Sequence, residues 1–213
     1  MCMIMRKPAG AHGFNACELR VSHDQNGDGW GTMYAHEGRV HVNKGMGFAP
    51  LLSSLTTPKW SSRVVYVHQR KATMGDIDLH NAHPHPVFSV RDGDHFDLWM
   101  MHNGTVDLPL NTAGASDSWH LAKWFRKWLR QHSQRRWWDH PTLLPEALQV
   151  IGDSRVVLLY GSGREIILNR DVGLWLSDGW WYSKPSCLAP EAMAKCEAYL
   201  SGSHPQGLDH DNS

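Results

Sequence analysis

The sequence predicts an α+β fold, with antiparallel sheets covered by helices. Runs of strand-like segments outnumber the helical ones, and one segment, Arg63 to His68 (Arg-Val-Val-Tyr-Val-His), is rich in β-branched residues. Another, Ser116 to His132, carries Leu121, Ala122, Phe125, Trp128 and Leu129 at helical spacing.

Taken in order, Cys2 to Arg6 reads as a short buried strand. Residues 11–23 are ambiguous, with a helix as one reading. Asp24 to Gly29 is a turn-rich loop. Trp30 to His36 and Arg39 to Lys44 form a hairpin around Glu37-Gly38. Phe48 to Leu55 reads as a short helix, and Arg63 to His68 as a strand. A long loop then holds Asn81-Ala82-His83-Pro84-His85-Pro86, where two prolines are expected to exclude regular structure.

Phe96 to His102 is a strand stopping at Asn103-Gly104. Ser116 or Asp117 caps the helix that runs to about His132. Val156 to Tyr160, Glu165 to Leu168 and Gly173 to Leu176 form a late antiparallel set, and a last helix spans Pro190 to Leu200. No repeat and no linker interrupts the chain before residue 200, so one domain over residues 2–200 is expected. Residues 201–213 are polar, contain Gly and Pro, and are expected to form a flexible tail.

Composition narrows the function classes. Lysine plus arginine (21) balances aspartate plus glutamate (21) in 213 residues, so net charge points to neither nucleic acid nor an anionic membrane. The basic cluster Lys123, Arg126, Lys127, Arg130, Arg135 and Arg136 is spaced as the solvated face of a helix. The four cysteines, Cys2, Cys17, Cys187 and Cys196, form no CxxC pair. The apolar run at the start is too short for a signal peptide, and no stretch approaches a membrane span. A soluble, reduced, cytoplasmic protein is expected.

Cys2 opens the chemical argument. Aminopeptidases remove Met1 when the second residue is small, which leaves a thiol and a primary amine on one residue. A terminal amine titrates at roughly 7.7–8.0, so it can take the thiol proton directly or through a water. Such a residue matters only beside an amide-binding site, and three later segments offer the parts. Arg70 follows a strand end in Val67-His68-Gln69-Arg70-Lys71-Ala72-Thr73-Met74-Gly75. It is either a surface arginine or a fork for a substrate carboxylate. Asn103-Gly104 ends a buried strand and is either a β-turn or a pair of oxyanion donors. Asp117 opens the amphipathic helix, as a cap or as a partner for an ammonium group.

In combination these segments resemble the glutaminase domain of class II glutamine amidotransferases, within the N-terminal-nucleophile hydrolases. The matching pieces are Met1-Cys2, Asp28-Gly29-Trp30-Gly31, His68 through Gly75, Asn81-Ala82-His83-Pro84, His102-Asn103-Gly104 and Asp117-Ser118. They occur in family order over roughly residues 1–125. Ser116-Asp117-Ser118-Trp119-His120 is closest to the compact, free-standing members of phages and bacteria.

The resemblance implies a four-layer αββα sandwich with Cys2 as nucleophile and its own amine as base. Asn103 and the Gly104 N–H would hold the oxyanion, and Arg70 the glutamine carboxylate, with Thr73 nearby. Asp117 would bind the α-ammonium, and His83 would shape the pocket. Asp28, Gly29, Trp30 and Gly31 would support the nucleophile. L-Glutamine is the implied substrate, with no cofactor and no metal. Lys71 and Met74 stand where sugar-phosphate-aminating members carry Trp and His, which puts the pocket wall in doubt. The chain has no room for a synthase module, so an ammonia acceptor is expected on another polypeptide.

Other readings remain. Asp78, His80, His83 and His85 are possible zinc ligands, yet Pro84 and Pro86 separate them and no HExxH pair exists. Asp24-x-Asn26-x-Asp28-Gly29 copies half of a calcium loop, but Ala35 falls where a bidentate Glu is needed. Eleven tryptophans, including Trp137-Trp138 and Trp180-Trp181, fit a packed core or the aromatic surface of a non-enzymatic binding module. Within the hydrolase reading, another γ-glutamyl or amide substrate is the runner-up.

Overall fold

The computed structural model describes residues 2–55, 62–132 and 136–200. Its strands are β1 (Met3–Lys7), β2 (Trp30–His36), β3 (Arg39–Gly45), β4 (Val65–Gln69), β5 (His85–Phe88), β6 (Leu98–Asn103), β7 (Arg155–Tyr160), β8 (Glu165–Leu168), β9 (Leu174–Trp175) and β10 (Trp181–Tyr182). Its helices are α1 (Ala16–Gln25), α2 (Phe48–Leu55), α3 (Asp117–His132), α4 (Leu143–Ile151) and α5 (Pro190–Leu200).

Two sheets form, with strand orders β3-β2-β4-β1-β10-β9 and β5-β6-β7-β8. Each strand-to-strand pairing is antiparallel.

The period of two along each strand builds the layers. Met3, Met5, Val67, Trp30 and Tyr182 face one way and pack with Leu19, Val21, Leu51 and Leu55 of α1 and α2. Their neighbours Ile4, Tyr66, Met33 and Trp181 face the other way and meet Met101, Val157 and Leu159 of the second sheet. The far face of that sheet, with Leu98, Met100, Val156 and Leu158, packs on Leu121, Ala122, Phe125 and Trp128 of α3 and on α4. The result is an αββα sandwich. Trp137, Trp180 and Trp181 are buried within it, so these tryptophans serve the core.

Polar contacts tie the sheets together away from the start of β1. Arg6 Nε donates to Glu165 Oε2 at 2.9 Å, and Tyr66 Oη donates to the same carboxylate. Val40 N–H of β3 donates to Asp97 Oδ2, just before β6, at 3.0 Å. A Cβ on Gly161 would lie 2.2 Å from the Gly38 carbonyl oxygen, so the β2–β3 turn and the end of β7 touch backbone to backbone.

Four expectations need correction. Pro86 does lie in regular structure, because β5 is an edge strand and a missing N–H there breaks no central ladder. The third late strand leaves the β7–β8 set: after Asn169, at φ 53°, a short turn sends β9 to pair with β10 in the other sheet. Asp24 and Gln25 belong to α1, whose start Asn15 caps by accepting from Cys17 N at 2.7 Å. Helix α4 had no assignment from the sequence. Its Pro145 sits in the first turn, where a proline costs no intrahelical bond.

Arg126 and Arg130 of the basic cluster pair with Asp94 at 2.7 and 3.1 Å. Arg135, like the tail 201–213, lies outside the described residues. Among the described residues no helix is long and apolar enough to cross a membrane.

Candidate functional site

The inner position of β1 decides where Cys2 lies. The last β1–β4 pair is Met3 with Gln69, so one step further the antiparallel register sets Cys2 beside Arg70. The contacts agree: Lys71 N–H donates to Cys2 Sγ at 3.4 Å, and the thiol donates to the Lys71 carbonyl at 3.5 Å. Burial raises the thiol pKa; the Lys71 hydrogen bond and the Arg70 charge pull it back, while Asp117 adds to the rise. The half-buried thiol is therefore predominantly protonated at neutral pH and needs a base to become a nucleophile.

Arg70 is not a surface arginine. It is 2% exposed, and its guanidinium donates from Nη1 to Asp76 O at 2.7 Å and from Nη2 to Met74 O at 2.8 Å. Five N–H groups are available on a guanidinium, so three more are not engaged by these two bonds. The 71–76 loop is thus wrapped around the cation. Thr73 sits exposed on that loop.

Asp28 closes the loop from the other side. Its N–H donates to Arg70 O at 3.0 Å, its Oδ2 accepts from Ala72 N at 2.9 Å, and Lys71 Nζ stands 3.5 Å away. Gly29 has φ 128°, and its carbonyl accepts from Arg70 N at 2.7 Å. Trp30 is buried with its indole N–H on Gly47 O at 2.9 Å. At Gly31 a Cβ would fall 1.7 Å from the His83 carbonyl oxygen, so only glycine lets β2 pass that segment.

Asn103 ends β6 at 1% exposure and points between the sheets. Its Nδ2 donates to Ser183 Oγ at 2.8 Å, while Oδ1 is buried without a partner among the described residues. Gly104 follows at φ 152°, with Ser154 Oγ 2.1 Å from where a Cβ would be. Asp117 is 5% exposed; its Oδ2 accepts from Val106 N at 3.2 Å and Oδ1 from Ser118 N at 2.8 Å. Ser116, not Asp117, caps α3, its Oγ accepting from Trp119 N at 3.2 Å. Asn81 fastens the loop below, accepting from Ser116 N at 2.7 Å and donating to Gly114 O at 2.8 Å.

His83 is 1% exposed and stacks on His68 at 3.8 Å between ring centroids, 4.6 Å from the His85 ring. Burial holds His68 at about 3 and His102 at about 4, and pushes His83 and His85 well below the ordinary value. These imidazoles are neutral. Among the described residues no group of three or more His, Cys, Asp or Glu side chains stands close enough to hold a metal ion. A cavity of about 1050 Å³, lined by residues including Phe96, Trp138, Tyr160 and Arg164, contains none of the sequence-predicted site residues.

Cys2, Arg70, Asp28 and the 71–76 loop are brought into contact, and Asp117 lies within electrostatic reach of the thiol. Asn103 joins them through Ser183, which also accepts from Ile4 N, two residues after Cys2. His83 lies beneath, in the packing. Ser183 was missed from the sequence, where a lone serine after Trp181-Tyr182 carries no motif.

No protein-family model and no curated protein sequence matches the chain. Among solved structures, one described as the allosteric regulatory enzyme of purine biosynthesis matches with a TM-score of 0.53 and 14% identity, over 91% of this chain and 43% of that one. A second, glutamine phosphoribosylpyrophosphate amidotransferase from B. subtilis complexed with ADP and GMP, matches with a TM-score of 0.48 and 13% identity, over 91% and 44%. The chain spans less than half the length of either. The first likeness is one of fold alone, in the αββα sandwich of antiparallel sheets.

Proposed function

We propose that residues 2–200 form the glutaminase domain of a class II glutamine amidotransferase, which hydrolyses L-glutamine to glutamate and ammonia. The observation that carries this reading is the contact of Cys2 with the loop wrapped around buried Arg70. A thiol opening a strand beside a fixed guanidinium is what attack on an amino-acid amide requires.

Removal of Met1 frees the Cys2 amine, which takes the thiol proton. The thiolate attacks the side-chain carbonyl of glutamine, and the negative charge on oxygen is held by Asn103 Nδ2–H and Gly104 N–H. The amine returns the proton to the departing ammonia, leaving a γ-glutamyl thioester on Cys2. Water, deprotonated by the same amine, releases glutamate and regenerates the thiol.

Arg70 takes the α-carboxylate with N–H groups left over from its loop bonds, and Asp117 takes the α-ammonium. Thr73 lies on the loop between them and the solvent, and His83 backs the pocket from within. Asp28 to Gly31 hold the loop in place. The ammonia passes to an acceptor on a separate synthase polypeptide. No cofactor enters this chemistry.

The test is ammonia release from glutamine, against asparagine and γ-glutamyl peptides, with the intact mass read before and after a glutamine-analogue electrophile. The reading expects loss of Met1, a single adduct on Cys2 and preference for glutamine. A chain that keeps Met1, or that releases no ammonia from any of these amides, rejects it. Preference for γ-glutamyl peptides would move the substrate and keep the mechanism.

A further inference from the structure

Ser183 is 0% exposed and follows β10, on the face that looks into the space between the sheets. Its hydroxyl accepts from Asn103 Nδ2 at 2.8 Å and from Ile4 N at 2.8 Å, and its own N–H donates to Ile4 O at 2.9 Å. A hydroxyl offers two lone pairs, and both are taken. Its proton is left facing Met3 Sδ at 3.9 Å. The side chain thus joins three strands: β1, which Cys2 precedes; β6, which Asn103 ends; and β10, which Ser183 follows.

A carboxamide NH2 is planar, so fixing one N–H fixes the direction of the other. Asn103 has one N–H on Ser183, and its Oδ1 is buried with no partner among the described residues. Among the described residues Nδ2 makes only the bond to Ser183, so its second N–H is the group that can meet an oxyanion, whereas Oδ1 can only accept. The same hydroxyl holds the strand that carries the thiol, so it sets the spacing between nucleophile and oxyanion donor.

We propose that Ser183 is a positioning residue for the oxyanion site. It aims the second N–H of Asn103 at the carbonyl oxygen under attack and keeps that donor in register with Cys2. This rests on the glutaminase reading above. It is a different statement from it, because Ser183 touches neither substrate nor thiol.

The experiment compares Ser183→Ala with the unaltered protein in two reactions at Cys2. Glutamine hydrolysis passes through a tetrahedral oxyanion; alkylation by iodoacetamide does not. The expected result is a kcat lower by about ten- to a hundredfold, a KM within about threefold, and an unchanged alkylation rate. Equal loss in both reactions would show that Ser183 only holds β1, and unchanged kcat would show no role; either overturns the proposal. Should the alanine variant not fold, the isosteric pair Ser183→Thr and Ser183→Val decides, with kcat retained only where the hydroxyl is. An unaltered protein that alkylates at Cys2 yet hydrolyses no glutamine overturns the glutaminase reading, and is told apart by failing before any variant is made.

Discussion

His68 and His83 stack ring on ring inside the protein, and burial keeps both neutral. His85 and His102 are held down in the same way, with Lys44 adding to the effect at His85 and Asp117 opposing it at His102. Each folded-state value lies below the roughly 6.5 of an unfolded histidine. Between the two values the unfolded chain binds more protons, so the stability these groups contribute is full above about pH 6.5 and is lost as pH falls toward the folded values. Each histidine adds up to about 1.4 kcal/mol per pH unit within that window. Urea unfolding should show a midpoint that is level from about pH 7.5 to about pH 6.5 and falls steadily from there to about pH 5. A flat profile would mean that the cluster takes up protons without unfolding.

Asn103→Ala removes one of the two proposed oxyanion donors and leaves Ser183 without its carboxamide. Glutaminase turnover should fall by about 10²–10³-fold, or roughly 2.7–4 kcal/mol of barrier, with the fold retained. Near-normal turnover, with a native circular dichroism spectrum, would remove Asn103 from the mechanism.

Arg70→Met takes away a charge and two loop bonds at once. Hydrogen bonds from a charged donor are worth about 1.5–3 kcal/mol each, so the 71–76 loop should loosen and KM for glutamine should rise by more than about tenfold. Limited proteolysis at the loop and steady-state kinetics should move together. A changed KM with an unaltered loop would separate substrate binding from loop support.

Gly31→Ala tests packing without touching chemistry. The added methyl meets the His83 carbonyl oxygen at 1.7 Å, a backbone atom that cannot step aside. Overpacking usually costs about 1–3 kcal/mol, and this site belongs at or above the top of that range. Thermal unfolding should show a large drop in midpoint, and no change would mean the β2 and His83 backbones part easily.

The strongest strand and helix signals were legible from residue pattern. The 3.6-residue spacing of Leu121, Phe125 and Trp128 marked α3, and Phe48 to Leu55 marked α2 to the residue. Pro86 misled because a proline speaks against a strand only where its N–H is needed, and edge position is a tertiary fact. Strand β9 misled for a related reason: two residues cannot declare which sheet they join. Within the candidate site, residues lying in ordered motifs could be named, whereas Ser183 acquires its partners only when β10 settles beside β1. Arg70 was readable as a position but not as a buried one, since its partners are backbone carbonyls that carry no side-chain signature.

The ties among Arg6, Tyr66 and Glu165, and between Val40 and Asp97, fasten one end of the sandwich, as Ser183 and Asn103 fasten the other. A pair of plates riveted at both ends cannot shear past each other to admit a molecule.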